Sequence, residues 1–150
     1  MLLHLRDPEA QRLIDEVNQP GRSSGEVQAT ILGRAASLGF RSEARGLFSD
    51  YSTPGLRPDY FLELPAHETG ILLEVERGKT TINNMDLLDF WKCHICVTAD
   101  HLFLMVPQRL QQNLDASRIT RPFDYVKKRL PTFFSGSNYT NVRSAWLFGY

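Results

Sequence analysis

The sequence predicts one α/β domain, in which helices flank a central mixed β-sheet. Its length of 150 residues fits a single domain, because a chain of this size buries roughly 70% of the surface that it exposes when unfolded. The composition, 42% hydrophobic and 23% charged, is that of an ordinary globular domain and excludes a disordered, collagen-like or coiled-coil chain. Helical and strand periodicities also alternate along the chain, in the order helix, strand, strand, strand, helix, strand, helix.

Two helices open the chain. Asp7 is a suitable N-cap and Pro8 suits the first helical position, so the first helix should continue to about Val17. A polar linker follows. The second helix should cover about residues 24–38, where apolar side chains recur every three or four positions, and it should end at Gly39.

Five segments have strand character, because their apolar and polar side chains alternate or because an apolar run ends at a proline. Thr69-Gly70 should form the turn before the third of them. The predicted strands are residues 40–48, 59–64, 71–76, 101–106 and 142–150.

A further helix is predicted over about residues 83–93. Its buried stripe should consist of Leu87, Leu88 and Trp91. Its polar side should carry Asp86, Asp89 and Lys92. Two more helical segments are predicted, over residues 109–116 and from Pro122 to just before Pro131.

The expected compartment is the cytoplasm. The longest apolar runs are far shorter than the ~20 residues that span a bilayer, and the first residues are too brief for a signal peptide. The only cysteines, Cys93 and Cys96, are too few for a disulfide framework, and we expect them to pack as small hydrophobic side chains. We therefore expect a soluble protein with no membrane partner.

The net charge of zero hides an uneven distribution along the chain. Residues 1–50 have a net charge of −1, residues 51–100 of −4, and residues 101–150 of +5. An acidic region attracts cations, and a basic surface attracts anions such as phosphates. The alternative is an ordinary solvated surface.

Three acids, Asp59, Glu74 and Glu76, fall on two strands that are close enough in sequence to pair as a hairpin. Glu74 and Glu76 are two residues apart and therefore share one face of their strand. Carboxylates in a strand with core character are costly unless they are paired or bind a cation. Hard divalent ions such as Mg²⁺ favour such oxygen ligands. The alternatives are a strand-entry role for Asp59, and an exposed edge strand for the two glutamates, with Arg77 and Lys79 as ion-pair partners.

The pattern Pro58-Asp59, followed fifteen residues later by Glu74-Val75-Glu76, resembles the PD-(D/E)xK nuclease superfamily. The resemblance covers about residues 27–106, in the family order of a helix, a three-strand meander, a helix and a strand. It implies a restriction-endonuclease-like core and a metal-dependent DNA endonuclease that uses Mg²⁺, for which Mn²⁺ can substitute. This sequence has Glu76 where the family usually has a lysine.

The resemblance also implies a set of site residues. Asp59, Glu74 and Glu76 would hold the metal, and Lys79 or Lys92 would supply the missing positive charge. An accessory acid would come from Glu26 or Glu43. Glu26 has a second interpretation, since Ser23 and Glu26 have the spacing of a capping box. Phosphates of DNA would bind basic residues near the C terminus, namely Arg118, Arg121, Lys127, Lys128 and Arg129.

The expected organisation is a single nuclease-like domain with an N-terminal helical extension over residues 1–22, a core over residues 23–106 and a basic C-terminal part over residues 107–150. So small a nuclease is expected to act as a homodimer or within a larger nucleoprotein complex. Two other interpretations stay open. One is an inactive nuclease fold that serves as a DNA-binding or assembly subunit, and the other is a protein-interaction module that docks through C-terminal aromatic side chains.

Overall fold

A central β-sheet of five strands organises the described part of the chain. The computed structural model describes residues 1–42, 46–53, 55–111 and 119–150. The helices are α1 (Leu2–Leu5), α2 (Pro8–Val17), α3 (Ser24–Ser37), α4 (Met85–Ile95) and α5 (Pro122–Arg129). The strands are β1 (Arg41–Ser42), β2 (Tyr60–Leu64), β3 (Thr69–Val75), β4 (His101–Val106), β5 (Leu110–Gln111), β6 (Ile119–Thr120) and β7 (Ser144–Gly149). None of these helices is long and apolar enough to cross a membrane.

The sheet has the strand order β1-β2-β3-β4-β7. The β1/β2 and β2/β3 pairs are antiparallel, whereas β3/β4 and β4/β7 are parallel. The prediction of a mixed sheet flanked by helices is therefore confirmed. Strand β7 lies within this sheet, so the C-terminal part of the chain completes the core that residues 23–106 begin.

Each face of the sheet is covered by a different pair of helices. On one face, Leu72 and Leu104 pack with Phe90 of α4 and Val126 of α5. On the other face, Leu73, Val75 and Met105 pack with α2 and α3. Successive residues of β3 point to opposite faces, which explains why both layers have a dry core and why this central strand is almost continuously apolar.

The first two predicted helices are confirmed, together with their caps. The Asp7 carboxylate accepts a hydrogen bond from the Ala10 N–H at 3.1 Å. Ser23 and Glu26 form a complete capping box at the start of α3. Gly39, just after α3, has a φ of +89°, a conformation that glycine adopts without steric cost.

Two predictions before β3 are wrong. The strand predicted over residues 40–48 is limited to Arg41–Ser42, residues 43–45 lie outside the described ranges, and residues 46–50 form turns. Thr69-Gly70 is part of β3 rather than a turn. The chain reverses instead through the 3₁₀ turn Pro65–His67, because the fixed φ of proline suits such a turn and stops the preceding strand.

The predicted buried stripe of α4 is wrong. Leu88 and Trp91 are 38% and 40% exposed, whereas Asp86, Asp89 and Lys92 are buried. Phe90 and Cys93 supply the apolar contacts of the helix instead. The polar side of α4 faces inward because it packs beside the end of β3, where Glu74 lies.

The helix predicted over residues 109–116 is also wrong for the part of it that lies within the described residues. Leu110–Gln111 forms a short antiparallel ladder with Ile119–Thr120, and residues 112–118 lie outside the described ranges. The helix that starts at Pro122 is confirmed, as is the last strand, which is Ser144–Gly149. Cys93 and Cys96 are buried and unbridged, as expected.

Gly70 allows β2 and β3 to pack closely, which leads to a stability prediction. A Cβ at this position would lie 2.4 Å from Phe61 Cε2 and 2.8 Å from the Leu62 carbonyl oxygen, so Gly70→Ala should lower the free energy of unfolding by about 3 kcal/mol. Gly33, inside α3, has nothing within 4 Å of the same position. As the matched control, Gly33→Ala should raise stability by about 0.5–1 kcal/mol. Urea denaturation of both variants measures the contrast, and a Gly70→Ala protein as stable as wild type would contradict this packing.

Candidate functional site

The antiparallel pairing of β2 with β3 brings Asp59 and Glu74 together. Tyr60 pairs with Leu73, so the preceding Asp59 lies opposite Glu74. The Asp59 N–H donates to Glu74 Oε2 at 3.2 Å, and Asp59 Oδ2 accepts from the Val75 N–H at 2.7 Å. The hairpin that was inferred from the sequence thus places both acids at one end of the sheet.

The two glutamates of β3 are not on an exposed edge strand, because β3 lies between β2 and β4. Glu74 is only 2% exposed. Glu76 is half-buried, and its N–H donates to the Met105 carbonyl at 2.9 Å. The edge-strand interpretation is therefore wrong, and the cost of burying these carboxylates must be offset locally.

Lys92 of α4 supplies the positive charge within this group. Its Nζ lies 2.6 Å from Glu74 Oε1 and 2.8 Å from Asp89 Oδ1, and it also donates to the Arg57 carbonyl at 3.3 Å. Lys79, the other candidate, is exposed. No hydrogen bond or ion pair joins the Lys79 side chain to a described carboxylate. We call Asp59, Glu74, Glu76, Asp89 and Lys92 the acidic cluster.

The acidic cluster has four carboxyl groups and one ammonium, and burial together with mutual repulsion favours the protonated forms of the acids. Burial, followed by the charges of Asp89 and Asp59, raises the pKa of Glu76 to about 8. Burial likewise raises the pKa of Asp89 to about 6 and that of Glu74 well above its usual range. The pKa of Asp59 is also raised by burial. Burial alone would lower the pKa of Lys92, but the carboxylates of Glu74 and Asp89 raise it.

The donor set of the acidic cluster suits a hard cation. All four acids offer oxygen atoms, the type of ligand that Mg²⁺ prefers, and the Glu76 carboxyl hydrogen-bonds to the carboxylate of Asp89. No three acidic, histidine or cysteine side chains among the described residues form a ready-made metal group, however. The Lys92 ammonium lies between Glu74 and Asp89, and each of these acids turns one oxygen toward it.

The raised pKa values lead to a prediction about pH. The folded chain keeps protons on Glu76 and Asp89 that the unfolded chain releases, since their ordinary pKa values are 4.5 and 3.8. Stability should therefore fall as pH rises from about 4 to about 8. We expect a drop on the order of 5 kcal/mol in the free energy of unfolding, measured by urea denaturation in EDTA, since each unit of pKa shift is worth about 1.4 kcal/mol.

Glu76→Gln is the control for this pH effect, because it removes the carboxyl group whose pKa is raised to about 8. The variant should be more stable than wild type at pH 8 and should depend less on pH. Equal pH profiles for the two proteins would mean that Glu76 is not a buried, proton-holding group.

Of the two accessory acids inferred from the sequence, the structure places Glu26 outside the acidic cluster. Glu26 serves the capping box and pairs with Arg22 at 2.8 Å, and Glu43 lies outside the described residues. Gln28, one turn into α3, hydrogen-bonds to Asp59 instead. Sequence reasoning missed Gln28, because a lone glutamine on a half-buried helix position carries no distinctive pattern.

The basic residues near the C terminus differ in whether their side chains already pair with an acid. Arg129 forms a two-pronged ion pair with Asp86 and stacks over Tyr125, so its guanidinium is already engaged. Arg121 lies 3.8 Å from Asp124. Lys127 and Lys128 are exposed, and Arg118 lies outside the described residues.

Known proteins provide no relative for this arrangement: no family model, curated protein or solved structure matches the chain. A function is therefore inferred from the acidic cluster and its surroundings.

Proposed function

We propose that this chain is a metal-dependent DNA endonuclease with a restriction-endonuclease-like core. The observation that carries the proposal is the acidic cluster, in which Asp59 and Glu74 from adjacent strands meet Lys92 from the next helix. Grouping four carboxyl groups around one ammonium, with Glu74 and Asp89 buried and Asp59 and Glu76 half-buried, costs stability, and titratable groups with such raised pKa values are typical of functional sites.

The order of elements supports the same proposal. A helix (α3), an antiparallel meander (β1, β2, β3), a helix (α4) and a parallel strand (β4) follow one another. This is the order that the resemblance to the PD-(D/E)xK superfamily implies. Lys92 of α4 also places a positive charge beside Glu74. The acidic cluster therefore contains a lysine, although position 76, where the family usually has one, is a glutamate.

The roles of the residues follow from their placement. Asp59 and Glu74 would hold Mg²⁺, with Glu76 as a further ligand or as the group that positions the attacking water. A bound divalent ion lowers the pKa of water and stabilises the negative charge that develops on a phosphate. Lys92 keeps Glu74 and Asp89 oriented through its two ion pairs, and its positive charge stabilises their ionised forms.

The test is cleavage of supercoiled plasmid DNA in Mg²⁺ or Mn²⁺, with EDTA as the blank. We expect nicked and linear products that require the metal, and binding of Mn²⁺ to the protein alone by calorimetry. DNA that is bound but never cleaved in either metal would instead favour the alternative, a catalytically inactive DNA-binding or assembly subunit, which the Glu at position 76 motivates. Neither binding nor cleavage of DNA would contradict both proposals.

A further inference from the structure

A groove lies directly beside the acidic cluster. It runs between the start of α3 and the segment that follows β3, and its volume is about 380 Å³. Glu76 lines this groove and also belongs to the acidic cluster, so the groove opens onto the proposed site. Its charged lining residues are Arg22, Glu76, Arg77 and Lys79.

Arg77 gives the groove an unusual wall. It is only 5% exposed, and its two terminal nitrogens donate to the carbonyls of Gln19 and Arg22. Its Nε is buried without a hydrogen-bond partner. Among the described residues the Arg77 guanidinium donates to backbone carbonyls and forms no ion pair with an acid, so its positive charge adds to the attraction of the groove for an anion.

Lys79 adds a second, more accessible positive charge. It is exposed and forms no ion pair with any described acid. The third cation, Arg22, is already paired with Glu26. The N terminus of α3 is likewise satisfied by the capping box, so the attraction for an anion comes from Lys79 and Arg77 rather than from the helix.

We propose that this groove holds a phosphate of the DNA strand, next to the phosphate that is cleaved. The inference rests on the proposed nuclease function and makes it more specific. Lys79 contacts the phosphate as a mobile point charge, and the buried guanidinium of Arg77 adds positive charge to the wall of the groove. This assigns Lys79 to substrate binding and leaves Lys92 as the lysine of the acidic cluster.

The experiment measures binding of a short fluorescein-labelled DNA duplex of mixed sequence by anisotropy, in Ca²⁺ and over a series of salt concentrations. Lys79→Ala should weaken binding about tenfold and lower the slope of log K against log salt by about 0.9, the value for one lost phosphate contact. Lys79→Arg should bind almost as wild type does. Arg12→Ala is the matched control, since Arg12 is exposed, pairs with Glu16 and lines no part of the groove.

The comparison with the C-terminal basic surface decides where the DNA lies. If Lys79→Ala binds as wild type does, or if wild type binds no duplex, the proposed groove is wrong. The same holds if only the double change Lys127→Ala and Lys128→Ala weakens binding. Plasmid cleavage by the wild type separates the two proposals. If Lys79→Ala loses binding but the wild type never cleaves DNA, the groove is supported and the nuclease is contradicted. If the wild type cleaves DNA but Lys79→Ala binds DNA as the wild type does, the nuclease is supported and the groove is contradicted.

Discussion

Asp59→Asn is expected to reduce Mg²⁺-dependent cleavage of plasmid DNA by about 1000-fold, which corresponds to roughly 4 kcal/mol of lost transition-state stabilisation. The carboxylate charge is lost, while the side-chain oxygen can still accept the hydrogen bond from the Val75 N–H that Asp59 makes at 2.7 Å. Since burial already disfavours the charge of Asp59 and raises its pKa, the variant should be at least as stable as wild type. Initial rates of plasmid nicking, together with thermal unfolding, test both halves of this expectation.

Glu63→Gln is the matched control for Asp59→Asn. Glu63 lies on β2, the strand that follows Asp59, and is exposed, so its neutralisation should leave cleavage unchanged. Glu74→Gln should lose cleavage as Asp59→Asn does, because the two side chains share one network. An Asp59→Asn protein that is folded and cleaves DNA at the wild-type rate would exclude Asp59 from the site.

Lys92→Met is expected to have the largest effect on stability. It removes the ammonium that contacts Glu74 at 2.6 Å and Asp89 at 2.8 Å, and it leaves two buried carboxylates without a cation. Loss of one partner of a buried ion pair typically costs about 3 kcal/mol or more, so the melting temperature should fall by about 8 °C at pH 7. Cleavage should also be lost.

The pH dependence of the stability of Lys92→Met distinguishes the loss of the ammonium charge from a simple packing defect. Without the ammonium, Glu74 and Asp89 are held more strongly in their protonated forms, so the loss of stability should be smaller at pH 5 than at pH 7. Mn²⁺ should restore part of the stability, because a cation that binds only the folded state stabilises it. Lys127→Met, at an exposed position, is the control and should change little. A Lys92→Met protein as stable as wild type at pH 7 would contradict the buried ion pairs.

The elements predicted correctly from sequence are those with strong local signals. Strand β4 has the predicted bounds because a short apolar run is stopped by Pro107. Helices α2 and α3 begin where the capping residues Asp7 and Ser23 indicate. In each case the interaction that determines the boundary of the element joins residues only a few positions apart, so the local sequence is enough to predict it.

The errors arise where contacts between residues that are distant in the sequence determine the structure. Both sides of α4 contain apolar residues, Leu88 and Trp91 on one and Phe90 and Cys93 on the other, so its periodicity does not show which side is buried. The ion pairs of Lys92 settle that choice, and its partner Glu74 lies eighteen positions earlier in the chain. The engagement of Arg129 by Asp86 depends on a contact between α4 and α5 that no local pattern indicates.

The α/β class, the caps of the helices and the meeting of Asp59 with Glu74 follow from the amino-acid sequence, because a hairpin over so short a separation has few alternatives. The packed fold is needed to show that Lys92 rather than Lys79 joins these acids, that Asp89 lies among them and that Gln28 contacts Asp59. A buried charge is tolerated only where opposite charges and hydrogen-bond partners surround it. Those partners come from separate elements that meet only when the sheet and its two helical layers have packed.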